Sequence, residues 1–452
     1  MKLTILGGGG FRVPLVHGAL TGDSGVTEVV LHDVDARRLA AIAAVLGGQR
    51  QIIRHGPPVR TTTDLDDAVA GTRFVFSAVR VDGLAGRTVD ERVALDLGVL
   101  GQETTGPGGI AYGLRTIPVA MDIARRVAAV APDAWVINFT NPAGMITEAM
   151  QQVLGDRVVG ICDSPIGLAA RAARALGITG QVVPDYVGLN HLGWLRGLTV
   201  DGTDRLPELL ADDARLAAIE EARLLGPGWV RALGALPNEY LYYFYRTREA
   251  VAGILDAPRT RGEYLREQQD AFYAAAATDP AAAWDLWQRV RDERDASYMA
   301  ESRDAAGAGE RDAVDVATGG YQQVAVALMT ALSGGGAATM ILNVRNGTAV
   351  PGLPAAAVVE VPCLVGPHGI TPLATRPLPL GMLGLLQQVK AVEQDTIAAA
   401  RTGSANLALR AFAGHPLVDS VGVAEQLLEG YRARLPGVAA VLGGESRGVT
   451  TP

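Results

Sequence analysis

The sequence predicts an α/β protein, with a mainly parallel sheet and a dinucleotide cradle in its first third and a mixed α+β remainder. Three observations predict it. Lys2–Leu6 is a short apolar run, Gly7-Gly-Gly-Gly10 follows at once, and Val13–Leu20 has helical spacing. Strand, glycine turn and helix in that order let a pyrophosphate approach a helix N-terminus. The next apolar run, Val26–His32, ends in Asp33, roughly 20 residues beyond the turn, where an acid meets ribose hydroxyls. Short buried-type runs then recur between helical stretches at Phe74–Val79, Trp135–Phe139 and Val158–Cys162. A parallel sheet of roughly five or six strands follows.

Within this Rossmann-like frame, Gly7, Gly8, Gly9, Gly10 and Asp33 are expected to hold NAD. The glycine motif is imperfect, because its third place is Arg12. Asp33 keeps a second reading, as a cap for the helix beginning near Asp35. Arg37 and Arg38 keep NADP open, although a carboxylate at Asp33 would repel a 2′-phosphate.

Length and composition narrow the classes. The 452 residues are too many for one simple core, and the pattern divides them at Pro165. Residues 1–165 read as the dinucleotide domain, 166–445 as an α+β substrate, metal and oligomerisation domain, and 446–452 as a tail. The chain is 48% apolar and 19% charged, which excludes wholesale disorder. A net charge of −8 leaves no basic surplus for nucleic acid, yet a few local arginines suffice for a small anion. Cys162 and Cys363 are the only cysteines, so a reducing, cytoplasmic compartment is expected. Met1-Lys2 leads straight into a strand, so no signal peptide is expected. The uncharged run Gln322–Val344 is broken by Ser333-Gly-Gly-Gly336 and reads as helix plus strand, so no membrane span is expected.

Chemistry-bearing residues gather at predicted strand ends and loops. Arg87, Asp90, Glu91 and Arg92 follow the Phe74–Val79 strand and read equally well as a solvated helix face with i,i+4 pairs. Gly101-Gln-Glu-Thr-Thr-Gly-Pro-Gly-Gly109 is too polar and glycine-rich for a core element and reads as a ligand loop. The asparagines of Asn138-Phe-Thr-Asn-Pro142 suit a turn or a polyol. Cys162-Asp163 ends one strand, and Asn190-His191 follows the strand-like Tyr186–Leu189. A thiolate and an imidazole from two strand ends could hold one divalent metal ion. Leu195–Val200 and Ala338–Val344 also read as strands. Leu236–Tyr245 concentrates tyrosines in a chain only 5% aromatic. Helices are expected over Gly262–Ala277, Ala281–Ser302, Gly319–Leu332, Leu385–Arg401 and Ala405–Ala413. Ala305–Arg311 reads as a mobile loop and Glu445–Pro452 as a frayed end.

Taken together, the motifs resemble glycoside hydrolase family 4, most closely its 6-phospho-β-glucosidase members. The resemblance runs from Gly7-Gly-Gly-Gly-Phe11 to Ala413-Gly-His-Pro-Leu417 and includes Pro237-Asn-Glu-Tyr240 and Val359-Glu-Val-Pro362. It adds Phe11 to the cofactor loop and implies a lactate/malate dehydrogenase-like fold. It also implies an NAD-dependent glycosidase, outside the usual two-carboxylate scheme. In such enzymes NAD⁺ takes hydride from carbon 3 of the sugar, a base removes the acidified proton at carbon 2, and the leaving group departs from carbon 1. Water then adds and the hydride returns. A divalent metal, usually Mn²⁺, holds the oxygens at carbons 2 and 3.

By the same resemblance Cys162 and His191 are the metal ligands. Tyr240 is the proton-abstracting base, with Tyr242 and Tyr243 as neighbours to be separated from it, and Glu103 is the acid that raises its basicity. Arg87, Asn141 and Arg261 contact a phosphorylated sugar glycoside, and the assembly is a homodimer or homotetramer. One departure stands out. β-Type members often carry asparagine after the metal cysteine, whereas this chain has Asp163, the leaving-group acid of 6-phospho-α-glucosidases. Two further readings stay open, an NAD-dependent hydroxy-acid dehydrogenase and a non-catalytic sensor of NAD and sugar phosphate.

Overall fold

The computed structural model describes residues 1–20, 24–52, 56–297, 303 and 320–443. The Ala305–Arg311 loop and the Glu445–Pro452 tail expected from the sequence lie outside the described residues. Six parallel strands form the first half: β1 Lys2–Leu6, β2 Glu28–His32, β3 Val59–Thr62, β4 Phe74–Ser77, β5 Trp135–Asn138 and β6 Val158–Gly160. They lie side by side as β3-β2-β1-β4-β5-β6, the strand order of a Rossmann dinucleotide fold. Helices cover both faces, so the inner strands are continuous apolar runs. Leu3, Ile5, Val29, Val30, Phe74, Val75, Val136 and Ile137 are all fully buried.

The sheet continues past β6 with antiparallel strands from the second half: β7 Val183–Leu189, β8 Leu192–Val200, β9 Thr203–Asp204, β10 Leu236–Pro237, β11 Ala338–Arg345, β12 Val358–Gly366 and β13 Gly369–Pro372. β11 joins β6 at Asn343 opposite Gly160, and β12 joins β7 at Glu360 opposite Gly188. One sheet of 13 strands therefore runs through both halves. Gly160 is required at the seam. A Cβ there would lie 2.6 Å from Thr147 Oγ1 and 2.8 Å from Asn343 Cβ.

Several elements differ from the sequence expectation. The ligand loop is shorter than its motif, because Pro107-Gly108-Gly109 opens the buried helix Pro107–Val130. Proline suits a first helical turn, and the glycines let residues 102–104 lie against it, since a Cβ on Gly108 would meet Gln102 O at 2.2 Å. The segment after β4 is no solvated face. Helix Gly83–Leu95 buries Arg87, Asp90 and Glu91, and Arg115 neutralises Asp90 through two bonds of 2.7 Å. Helices Arg261–Thr278 and Ala283–Ala296 appear where expected, the first opened by a Thr260/Glu263 capping box. Strands β3 and β12 and helices Val421–Arg434 and Pro436–Leu442 were not expected. Among the described residues no helix is long and apolar enough to cross a membrane.

Candidate active site

A cavity of about 2240 Å³ runs along the C-terminal ends of the parallel strands, where open α/β sheets bind ligands. Each strand from β1 to β6 hands its next residues to the wall: Gly7, Asp33, Thr63, Ala78, Asn141 and Cys162. His191, Tyr240, Arg87, Glu103 and Arg261 border the same space. Of the residues predicted from sequence, Gly8 is not at the wall, and neither is Tyr242, a neighbour of the candidate base. Gly8 lies against β2, where a Cβ would come 2.9 Å from His32 N.

At the dinucleotide end, Gly7 turns the chain with φ +77°, and a Cβ there would sit 2.4 Å from Ala78 O. Gly9 N–H donates to Asp33 Oδ2 at 3.0 Å, so the carboxylate fixes the loop while facing the cavity. The capping alternative for Asp33 falls to its neighbour. Asp35 Oδ1 accepts from Arg37 N–H at 2.9 Å and Arg38 N–H at 3.2 Å, opening helix Ala36–Ile52. Phe11 is mostly committed to packing, edge-on to Phe272 at 5.3 Å and tilted against Trp287 at 5.8 Å.

In the centre, Cys162 follows β6 and is 4% exposed. Burial pushes its thiol well above the usual range, and the charges of Glu360 and Asp163 add to the effect. Such a thiol becomes a thiolate only beside a cation. His191 sits in the turn between β7 and β8 with φ +65°, a left-handed conformation that non-glycine residues adopt sparingly. Burial lowers its imidazole to about 4 against an opposing pull from Glu103, so the ring is neutral and able to ligate. Thr104 Oγ1 lies 3.0 Å from Gln102 Oε1 and 3.1 Å from His191 Nδ1. This contact orients the ring through Nδ1, and with Nδ1 protonated the Nε2 lone pair is available to a metal. Sequence reasoning flagged this loop but missed the role of Gln102 and Thr104.

Tyr240 stacks on His191, ring centroids 3.7 Å apart and planes 8° apart. Tyr243 also borders the cavity, whereas Tyr242 is 1% exposed and stands outside its wall. The two asparagines after β5 divide their tasks. Asn138 Nδ2 bonds Thr140 O, Ala143 O and Thr147 Oγ1, building the turn. Asn141 keeps a buried Oδ1 with no protein donor among the described residues, a ready acceptor for a ligand hydroxyl or amide. Asp163 carries no cap bond to the helix it opens, Ser164–Ala175, and borders the cavity.

Behind the centre, Glu360 on β12 accepts from Asn343 Nδ2 at 2.8 Å, Tyr186 Oη at 3.1 Å and Asn190 Nδ2 at 3.4 Å. Burial pushes its carboxyl up to about 7. It fastens the His191 turn to the strands beside Cys162, a role hidden in the Val359-Glu-Val-Pro362 motif.

Charge of the other sign gathers opposite. Arg87 Nε bonds Glu91 at 2.8 Å and Nη1 bonds Glu103 at 2.7 Å, and Arg80 Nη1 lies 2.6 Å from Glu103. Arg261 donates to Ser297 O, Ser297 Oγ and Arg294 O, closing the end of helix Ala283–Ala296. Arg294, absent from the sequence prediction, borders the cavity and pairs with no carboxylate among the described residues. Burial and the guanidiniums of Arg12, Arg261 and Arg87 hold its pKa well below the usual arginine range. Nothing in its arginine-rich helix distinguished it from solvated neighbours.

Glu103 carries a stability consequence. Burial alone would raise its carboxyl, but Arg80 and Arg87 outweigh it and hold the group at about 2 against an ordinary 4.5. A depressed carboxyl contributes stability above the unfolded value that is lost as pH falls through the folded one. Wild type is therefore expected to lose stability between pH 4.5 and about 2 more steeply than Glu103→Gln. Thermal melts across that range check this, and parallel slopes would contradict it.

Fold and cavity together define a dinucleotide-class α/β protein with a thiol, an imidazole and several arginines at its strand ends. The chain belongs to family 4 of the glycosyl hydrolases. The family model described as "Family 4 glycosyl hydrolase" matches residues 2–178, and its "C-terminal domain" model matches residues 186–418. "Probable 6-phospho-beta-glucosidase" of Bacillus subtilis (strain 168) is 32% identical, covering 96% of this chain and 97% of that protein. "6-phospho-alpha-glucosidase 1" of Lacticaseibacillus paracasei is 30% identical, covering 89% of each. The 6-phospho-beta glucosidase of Thermotoga maritima, crystallised with NAD and glucose-6-phosphate, superposes with a TM-score of 0.79 at 25% identity, covering 96% and 98%. Another crystal of that protein, with manganese, NAD⁺ and glucose-6-phosphate, gives 0.80 at 24% identity, again covering 96% and 98%.

Proposed function

We propose that this chain hydrolyses 6-phospho-β-glucosides by NAD⁺- and divalent-metal-dependent oxidation, elimination, addition and reduction at the glycone. The observation that carries the reading is the convergence on one cavity of the glycine loop, Cys162 with His191, Tyr240, and the guanidiniums of Arg87, Arg261 and Arg294. The relatives named above include enzymes of both anomeric types, and one of them was crystallised with NAD and glucose-6-phosphate.

The residues fit the groups this function needs. Gly7 and Gly9 leave the space that a Cβ would fill beside Ala78 and Asp33, and Gly10, Phe11 and Asp33 complete the dinucleotide seat. Gly8 supports the loop from behind. Cys162 and His191 would hold the metal. Two protein ligands would leave coordination positions for a substrate diol. Bound NAD⁺ supplies reversible hydride acceptance, and the metal, Mn²⁺ by resemblance, supplies Lewis acidity.

The protein's own groups do the rest. Tyr240 takes the carbon 2 proton. Its hydroxyl ordinarily titrates near ~10 and needs positive charge nearby to act at neutral pH. Glu103 tempers the arginines beside it and so tunes that charge. Asn141 accepts from a sugar hydroxyl, and Arg87, Arg261 and Arg294 receive the 6-phosphate, for which planar guanidinium forks are suited. A homodimer or homotetramer goes with the reading.

A second reading, 6-phospho-α-glucosidase, is favoured by one observation. Asp163 borders the cavity beside Cys162 without a capping bond, placed to protonate a leaving group. Paired α- and β-linked nitrophenyl glucoside 6-phosphates, assayed with NAD⁺ and Mn²⁺, separate the two. Faster cleavage of the β-linked compound is expected, and preference for the α-linked one would transfer the assignment to the second reading.

A further inference from the structure

Three carbonyl oxygens of the glycine loop are held from the second half of the chain. Tyr273 Oη donates to Gly9 O at 2.7 Å, Trp287 Nε1 to Phe11 O at 2.8 Å and Tyr321 Oη to Arg12 O at 3.1 Å. The donors come from three separate helices, Arg261–Thr278, Ala283–Ala296 and Tyr321–Leu332. A peptide unit is a rigid plane, so holding a carbonyl fixes the direction of the N–H that follows it. The Gly9–Gly10 plane is pinned at both edges, because Gly10 N–H donates to Gly7 O at 2.9 Å. Tyr273 itself does not border the cavity. Burial pushes its hydroxyl up to about 12, so it remains a donor at working pH, and Arg38 covers its ring at 4.3 Å.

We propose that Tyr273 and Trp287 are positioning residues for the dinucleotide, holding the glycine loop in its binding shape so that the cofactor leaves slowly and serves many turnovers. The proposal rests on the NAD-dependent reading above. A loop without these donors would have to be ordered by the ligand, and that cost weakens binding, mainly through faster release. Slow release suits a reaction that returns its hydride within each cycle.

Release of NADH from the intact protein, followed by fluorescence during a chase with excess NAD⁺, tests this in wild type, Tyr273→Phe and Trp287→Phe. Each variant loses one hydrogen bond and is expected to release NADH roughly fivefold faster. The KM for NAD⁺ should rise in proportion, while kcat and the KM for the glycoside at saturating NAD⁺ stay unchanged. Melts without cofactor identify any loss of folding in Trp287→Phe, and the conservative Tyr273→Phe then carries the test. Unchanged release in folded Tyr273→Phe overturns the proposal, as does a change confined to kcat. If wild type binds NADH not at all, the NAD-dependent reading fails and the proposal falls with it.

Discussion

Cys162→Ser is expected to lower kcat/KM by roughly 1000-fold, the scale of several kcal/mol that a Lewis acid supplies, while leaving NAD⁺ affinity within about twofold. A serine hydroxyl fills nearly the same space but remains protonated and is a poor ligand for a divalent cation. The native thiol is buried and pushed well above its usual pKa, so it has no reason to ionise except beside a metal. Mn²⁺ titration read by calorimetry should show weaker binding in the variant, and chelation should abolish wild-type turnover in the same assay. NAD⁺ affinity is the control, because the glycine loop after β1 is held by Asp33 and not by Cys162. A variant that keeps Mn²⁺ affinity but loses NAD⁺ would show that the cysteine serves the fold.

Tyr240→Phe carries the second large effect. Removing a positioned general base costs about 10²–10⁴-fold, and the ring stacked on His191 keeps its place in phenylalanine. The loss should therefore fall on kcat, with the KM for the glycoside little changed. The neighbouring tyrosines supply the contrast. Tyr242 is buried outside the cavity wall, so Tyr242→Phe should leave turnover near wild type. Tyr243 does border the cavity and is the alternative base. A larger loss in Tyr243→Phe than in Tyr240→Phe, measured as kcat under saturating NAD⁺ and Mn²⁺, would move the role to Tyr243.

The parallel half of the fold was legible because its strands bury both faces and read as unbroken apolar runs. Strand β3 escaped because it is an edge strand, Val-Arg-Thr-Thr, with no fully buried residue. Strand β12 escaped because Glu360 and Pro362 interrupt its apolar pattern. The interruption is structural, since that carboxylate fastens Tyr186, Asn190 and Asn343. The site was legible wherever a rare residue type sat at a strand end, as with Cys162 and His191. It was illegible where the role depends on tertiary surroundings. Arg294 and Arg289 share one helix and one chemistry, and only burial among other guanidiniums separates the first. Arg87 and Glu91 do form the i,i+4 pair expected of a solvated face, yet the helix carrying them is turned inward. Phe11 combines two places, at the cavity wall and packed against Phe272 and Trp287, and only the first was legible in its motif.

The central claim is that cleavage proceeds through removal of the proton at carbon 2 of the glycone. Hydrolysis of a nitrophenyl glucoside 6-phosphate in heavy water, with NAD⁺ and Mn²⁺ present, tests it most directly through the product's hydrogen at carbon 2. The account predicts deuterium at that position, delivered during re-addition, and none when Tyr240→Phe fails to turn over. Full retention of the original hydrogen in product released by wild type would contradict it.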